Sequence, residues 1–302
     1  MTLKNTMTTG LLLLFLVAIS SCKKETSHKE NLESTILSQI DSIDGTVAVA
    51  FFNLSAPEDS LFINIDEKFH AASTMKVPVM IELFKQAAQG KFNLNDSVFL
   101  KNEFKSIVDS SLYSMDIGVD SDHIVYNKIN KKVAIKDLMY SMITASSNLA
   151  TNVLIELVDA KKVTATMRDL GAKDIEVLRG VEDLKAFEKG LSNSTTARDL
   201  MIIMKAIAQH KAGSEADSKA MIAVLEDQLF KSIIPKYLPK TLKVAHKTGS
   251  ITGVHHDAGI VYLPDGKSYV LVILSKNIKN SDTATQQLAR ISKTIYDYVS
   301  TN

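Results

Sequence analysis

Strand-like patterns gather at the two ends of this chain while the long middle is helical in period, and that distribution restricts the fold more than any single motif. Near the start, Thr46 to Asn53 (TVAVAFFN) and Ser60 to Ile65 (SLFINI) flank Ser55-Ala56-Pro57-Glu58-Asp59, which reads as a hairpin. Near the end, Val244 to Lys247, Ala258 to Leu263 and Tyr269 to Ser275 are strand-like, and Pro264-Asp265-Gly266 marks the turn between the last two. Leu32, Ile36, Ile40 and Ile43 recur at helical spacing before the first strand. Leu288, Ile291, Ile295 and Tyr298 share one face of a closing helix over about Thr283 to Val299. Between Ser73 and about Leu238 the period is helical, except in the irregular stretches Asn102 to Lys132 and Ile175 to Ser194. The expected fold is a two-lobed α+β domain. It has a five-stranded antiparallel sheet flanked by terminal helices, a large all-helical insertion, and a cleft where the two parts meet. That domain is expected over residues 31–302, with the sheet lobe from about 31–72 and 240–302 and the helical lobe from about 73–239.

The 302 residues carry 35 Lys+Arg against 34 Asp+Glu, a formal charge of +1, so no electrostatic case for nucleic acid arises. The only cysteine is Cys22, which excludes an intrachain disulfide and draws attention to its setting. Leu11 to Ile19 (LLLLFLVAI) is an apolar run too short for a spanning helix, which needs about 20 residues. The run ends in Ile19-Ser20-Ser21-Cys22, which resembles the lipobox of bacterial lipoproteins. The resemblance implies removal of residues 1–21 as a signal peptide, lipid on the Cys22 thiol, and a charged tether over 22–30. The protein would then be a membrane-anchored lipoprotein of the cell envelope or periplasm. A non-lipidated secretory signal with an incidental cysteine is the alternative.

Three short motifs carry chemistry. Ser73-Thr74-Met75-Lys76 places a hydroxyl and an amine three residues apart, hence on one face of a helix, where a lysine in a partly dry site can lose its proton and activate the serine. Ser146-Ser147-Asn148 offers a hydroxyl and an amide two residues apart, although alone it reads as a helix N-cap. Lys247-Thr248-Gly249-Ser250 follows a strand, so a cation and a hydroxyl could hold a carboxylate while Gly249 keeps the strand open to a ligand's backbone.

Taken alone, each motif is unremarkable. In this order, S-x-x-K, S-x-N and K-T-G resemble the signature of the penicillin-recognising serine hydrolases, with Ser147 where class A β-lactamases usually have aspartate. Ile143 to Asn152, Asn193 to Ala197 and Ala245 to Gly266 also look like class A surroundings, so the likeness spans nearly all of residues 31–302. It implies a β-lactam or peptidoglycan-like substrate, no cofactor, no metal, and a monomer. Ser73 would attack the lactam carbonyl and Lys76 would take or relay its proton. Backbone N–H groups of Ser73 and Ser250 would form the oxyanion hole, and Ser146 would protonate the departing nitrogen. Asn148 would bind the substrate's side-chain amide, and Lys247 with Thr248 its carboxylate.

Deacylation divides that family. Glu182 lies in the irregular stretch expected to form the omega loop, at the spacing of the glutamate that positions the hydrolytic water. The usual E-x-x-L-N is absent, since Glu182-Asp183-Leu184-Lys185-Ala186 lacks the asparagine. Glu182 as a solvated loop carboxylate and Asp183 as the acting acid both stay open. Arg179 could close the loop, but Ser192-Asn193-Ser194 supplies no aspartate to pair with it. His246, His255, His256 and Asp257 cluster without a zinc-hydrolase pattern. One of His255 and His256 either helps the carboxylate pocket or is a surface residue. The expected activity is a serine β-lactamase-type hydrolase. The alternatives are a D-alanyl peptidase or esterase on the same fold, or a penicillin-binding module that acylates once and stays blocked.

Overall fold

A computed structural model describes residues 28–301; Cys22 and the expected signal peptide over 1–21 lie outside the described residues. Helix α1 covers residues 28–41, so 28–30 are helical rather than part of a tether. Strands β1 (Thr46–Asn53) and β2 (Leu61–Ile63) follow. The helical lobe comprises α2 (Lys76–Ala88), α3 (Ile135–Thr144), α4 (Asn148–Val158) and α5 (Ala160–Asp169). It continues with α6 (Leu184–Glu188), α7 (Ala197–Ala208) and α8 (Glu215–Glu226). The chain then returns through β3 (Lys243–Ile251), β4 (Val254–Tyr262) and β5 (Ser268–Lys276) before α9 (Ser281–Thr301). The five strands form one antiparallel sheet in the order β2-β1-β5-β4-β3, which leaves β3 at an edge.

Side-chain alternation divides the molecule into two cores. Val47, Val49 and Phe51 on β1 and Tyr269, Leu271 and Ile273 on β5 pack with Ile36, Leu288, Ile291 and Ile295 of the terminal helices. The intervening Ala48, Ala50, Val270, Val272 and Leu274 join the core of the helical lobe, where α7 brings Leu200, Ile203 and Met204. Each fully buried Leu or Ile contributes roughly 1.5–3 kcal/mol. Small residues at 48 and 50 let α7 lie close to the sheet.

Helix α2 runs through the centre of the helical lobe, with Val77, Val79, Met80, Ile81 and Leu83 buried around it. Pro78 is tolerated in its first turn because an N–H there has no intrahelical partner. The irregular stretches carry short antiparallel ladders. Phe104–Lys105 pairs with Leu112–Tyr113. Phe69–His70 pairs with Ser194–Thr195, which ties the end of the 175–194 stretch to the segment that enters α2.

Candidate active site

Ser73 does not begin an α-helix, as the spacing suggests; it sits in a 3-10 turn, Ala72–Met75, one turn ahead of α2. Ala72 has a φ of +44°, unusual without glycine. Its N–H donates to His70 Nδ1 at 2.9 Å, and the flanking Ala71 N–H donates to the Asn193 carbonyl at 2.8 Å. Strand β3 presses directly on this turn. A Cβ at Gly249 would stand 3.1 Å from both the Ser73 nitrogen and the Ala72 Cβ, so glycine lets Thr248, Gly249 and Ser250 share a wall with Ser73 without crowding the turn. Ser73, Ser121, Ser146, Phe230, Thr248 and Ser250 are among the residues lining one cavity of about 190 Å³ between the lobes.

The Lys76 amine points past Ser73. Fully buried, it donates to the Ser146 carbonyl at 2.7 Å, to Asn148 Oδ1 at 2.9 Å and to Ser146 Oγ at 3.2 Å. Among the described residues Ser73 Oγ has no hydrogen bond, so the direct Ser73–Lys76 pairing expected from the spacing is not formed, and the amine is held by Ser146 and Asn148 instead. Burial pushes the Lys76 amine down to about 7, opposed by the Asp120 and then the Glu182 carboxylate. Lys247, also fully buried, donates to Ser146 Oγ at 3.1 Å and to the Thr248 carbonyl at 3.0 Å. Its amine is pushed well below the usual lysine range by burial and by Lys76. Ser146 Oγ thus accepts from two amines, which leaves its own proton for a third group in the cleft.

Helix α4 fixes Asn148 at its first residue, and Ser147 caps it through Oγ, which accepts from the Ala150 N–H at 3.2 Å. Asp120, from the 102–132 stretch, reaches the same helix end. Its carboxylate accepts from the Asn148 N–H at 3.0 Å, the Leu149 N–H at 2.9 Å and the Tyr126 hydroxyl at 3.1 Å. The Asn148 amide then joins two candidates, because Oδ1 faces Lys76 and Nδ2 donates to Glu182 Oε1 at 2.6 Å. The Glu182 carboxyl is pushed up, first by burial, against the lowering effect of the Asn148 donor.

Glu182 itself has a φ of +62°. Asn152, one turn along α4, holds it there by clamping its neighbour: the Val181 N–H donates to Asn152 Oδ1 at 2.7 Å and Asn152 Nδ2 donates to the Val181 carbonyl at 3.0 Å. The Asp183 carboxylate is engaged away from Asn148. It is 2% exposed, caps α6 through the Ala186 N–H, and binds Ser106 Oγ and the Ile107 N–H, both at 2.9 Å. The loop neck needs no aspartate. Arg179 donates to the Leu191 and Gly180 carbonyls, while Asn193 accepts from the Leu178 and Arg179 N–H groups and donates to the Arg179 carbonyl.

The histidines separate by role. His246 Nδ1 meets Asp257 Oδ1 at 2.8 Å in a buried pair. His256 accepts the Ser275 N–H on Nδ1, so Nε2 carries the proton shared with the His70 carbonyl at 2.8 Å; neither nitrogen is left for a ligand. His255 alone remains on the cavity wall with an uncommitted ring. The structure gathers Ser73, Lys76, Ser146, Asn148, Glu182, Lys247, Thr248, Gly249 and Ser250 around one cleft. Sequence reasoning assigned no role to Asp120, Tyr126 or Asn152; Asp120 and Asn152 act through partners distant in the chain and Tyr126 through Asp120, and only the position of Asn152 one helical turn after Asn148 offered a local clue.

The beta-lactamase enzyme family model matches residues 31–299. The extended-spectrum beta-lactamase PER-1 of Pseudomonas aeruginosa is 26% identical over 283 residues, covering 89% of this chain and 86% of that protein. The solved structure of PBP-A superposes with a TM-score of 0.77 at 26% identity, covering 90% of this chain and 97% of the other. A beta-lactamase from Sphaerobacter thermophilus shares the fold, with a TM-score of 0.76, 24% identity and coverage of 89% and 97%.

Proposed function

The chain belongs to the beta-lactamase enzyme family, and from this we infer that it is a serine hydrolase opening the β-lactam amide through an acyl-enzyme on Ser73. The observation that carries the reading is the Asn148 amide bridging the Lys76 amine and the Glu182 carboxylate beside the Ser73 cleft. Ser73 Oγ attacks the lactam carbonyl carbon and its proton passes to the neutral Lys76 amine. The ring C–N bond breaks as the nitrogen takes the Ser146 proton, which Lys76 replaces. Glu182 then accepts a proton from water, whose oxygen attacks the ester, and Ser73 leaves with its proton restored. The N–H groups of Ser73 and Ser250 stabilise the oxyanion, and Lys247 with Thr248 holds the substrate carboxylate.

One observation favours the blocked penicillin-binding module instead. Position 186, which in class A holds the water-binding asparagine, is a buried alanine whose N–H is spent on the Asp183 cap. Steady-state hydrolysis of a chromogenic cephalosporin separates the two. The enzyme turns over many equivalents and Ser73→Ala loses about 10⁴-fold or more; a parent that stops after one equivalent is a trap. Comparison with an acyl-D-Ala-D-Ala peptide tests the peptidase alternative.

Ile19-Ser20-Ser21-Cys22 supports lipidation at Cys22 and a place in the cell envelope. Two or more acyl chains would be needed for stable anchoring. Cys22→Ser should then appear in the soluble periplasmic fraction; a parent protein already free there, with another N-terminus, would contradict lipidation. Every group invoked comes from one chain, so a monomer suffices.

A further inference from the structure

We propose that Asp120 is a positioning residue that stands in, from a distant loop, for the acid absent at position 147, and that its buried carboxylate aims the Asn148 amide and places negative charge beside both Lys76 and Glu182. The proposal rests on the reading of Ser73 and Lys76 as the acylating pair.

Asp120 is 3% exposed and surrounded by donors: the N–H groups of Asp122, Asn148 and Leu149, and the Tyr126 hydroxyl. A carboxylate suits four donors and a neutral acid does not, since the acid must donate once. Two of the donors are orphan N–H groups at the start of α4, where a negative charge is favourable. Holding the Asn148 backbone fixes where its side chain leaves the helix. That side chain has one chemically sensible orientation, because Oδ1 accepts from the Lys76 amine while the ionised glutamate can only accept and so must face Nδ2.

Charge acts along the same path. The groups facing the Lys76 amine are Asp120 from the 102–132 stretch, Glu182 from the omega loop, Lys247 from β3, and the neutral Ser146 and Asn148. Asp120 favours the protonated amine, and it raises Glu182 as well. Removing its charge therefore lowers both, and the acid limb of acylation moves to lower pH whichever of the two takes the Ser73 proton. Tyr126 donates to the same carboxylate, so replacing it by Phe removes a donor and not a charge.

The experiment is an NMR titration of the full chain labelled with 13C at the lysine ε-carbons, with the Lys76 signal assigned by its loss in Lys76→Met. The Lys76 midpoint is expected to fall by about half a pH unit or more in Asp120→Asn, and not to fall in Tyr126→Phe. Asp120→Asn combined with Ser147→Asp should return it to the parent value, since an acid at the N-cap restores charge to the same helix end; this pair also decides the matter if Asp120→Asn alone does not fold. Stopped-flow acylation by penicillin G should show its acid limb moving with the midpoint. An unchanged midpoint in folded Asp120→Asn, an equal fall in Tyr126→Phe, or no recovery in the double variant would overturn the proposal. The titration needs no substrate, so it decides the role of Asp120 even if penicillin leaves no adduct, a result that would count against the proposed function instead.

Discussion

Ala72, Ser146 and Glu182 hold φ values of +44°, +58° and +62°, and each adjoins a group the chemistry needs. Such conformations cost roughly 1–3 kcal/mol apiece and persist only where neighbours impose them. Ala72 is held through His70 and, behind it, His256; Ser146 through Lys76 on its carbonyl; Glu182 through the Asn152 clamp on Val181. Gly249 is the complementary case, a residue needed for its missing side chain. Gly249→Ala is expected to stay folded yet slow acylation by about 10²-fold, because the new methyl meets the Ser73 nitrogen, which is backbone and cannot swing aside; acylation at the parent rate would refute this contact. His256 makes a pH prediction. Burial pushes it down to about 4, while the unfolded chain takes up the proton near 6.5. Between those values the unfolded state binds more protons, so this contribution is complete above about pH 6.5 and lost as pH falls toward 4, by about 3 kcal/mol. Urea unfolding from pH 8 to 4.5 should show a smaller decline in His256→Gln than in the parent; parallel curves would contradict it.

In the proposed mechanism deacylation depends on the omega loop, whose neck closes without an ion pair. Asn193 makes three hydrogen bonds across the neck and Arg179 adds two carbonyl contacts, where the sequence suggested an arginine without a partner. An asparagine amide can both accept and donate, so it closes a neck made of backbone groups that a carboxylate could satisfy only on the N–H side. Asn193→Ala should raise amide exchange across residues 177–194 and slow deacylation by about tenfold or more, with acylation changed less than threefold. Exchange equal to the parent's would mean the loop is held elsewhere. The 102–132 stretch is tied into the same unit, because Asp183 caps α6 while binding Ser106 and Ile107.

For the whole molecule, the sheet built from both chain ends was legible because its cause is local. Alternation on β1 and β5 and the helical spacing in α1 and α9 each lie within a few residues. The three motifs were legible for the same reason, as short strings in a fixed order. The supports were not: Asp120 meets Asn148 across 28 positions, Asn152 meets Val181 across 29, and His256 meets His70 across 186. Each is a single ordinary residue until the lobes close. The direct Ser73–Lys76 contact expected from helical spacing failed because a 3-10 turn precedes α2 and the amine is drawn to Ser146 and Asn148. The cleft needs both lobes, since Ser73, Ser146 and Asn148 enter from the helical side and Lys247 to Ser250 from the sheet edge.

Intact mass of the parent, Ser73→Ala and Glu182→Gln, followed from seconds to hours after mixing with penicillin G, tests the central claim most directly. The parent should show a transient adduct of one penicillin that decays as substrate is consumed, and Ser73→Ala should show none. Glu182→Gln should acylate at a similar rate and keep the adduct, since general-base help is typically worth about 10²–10⁴-fold. An adduct on Ser73→Ala, or decay in Glu182→Gln as fast as in the parent, would contradict the assignment of nucleophile or base.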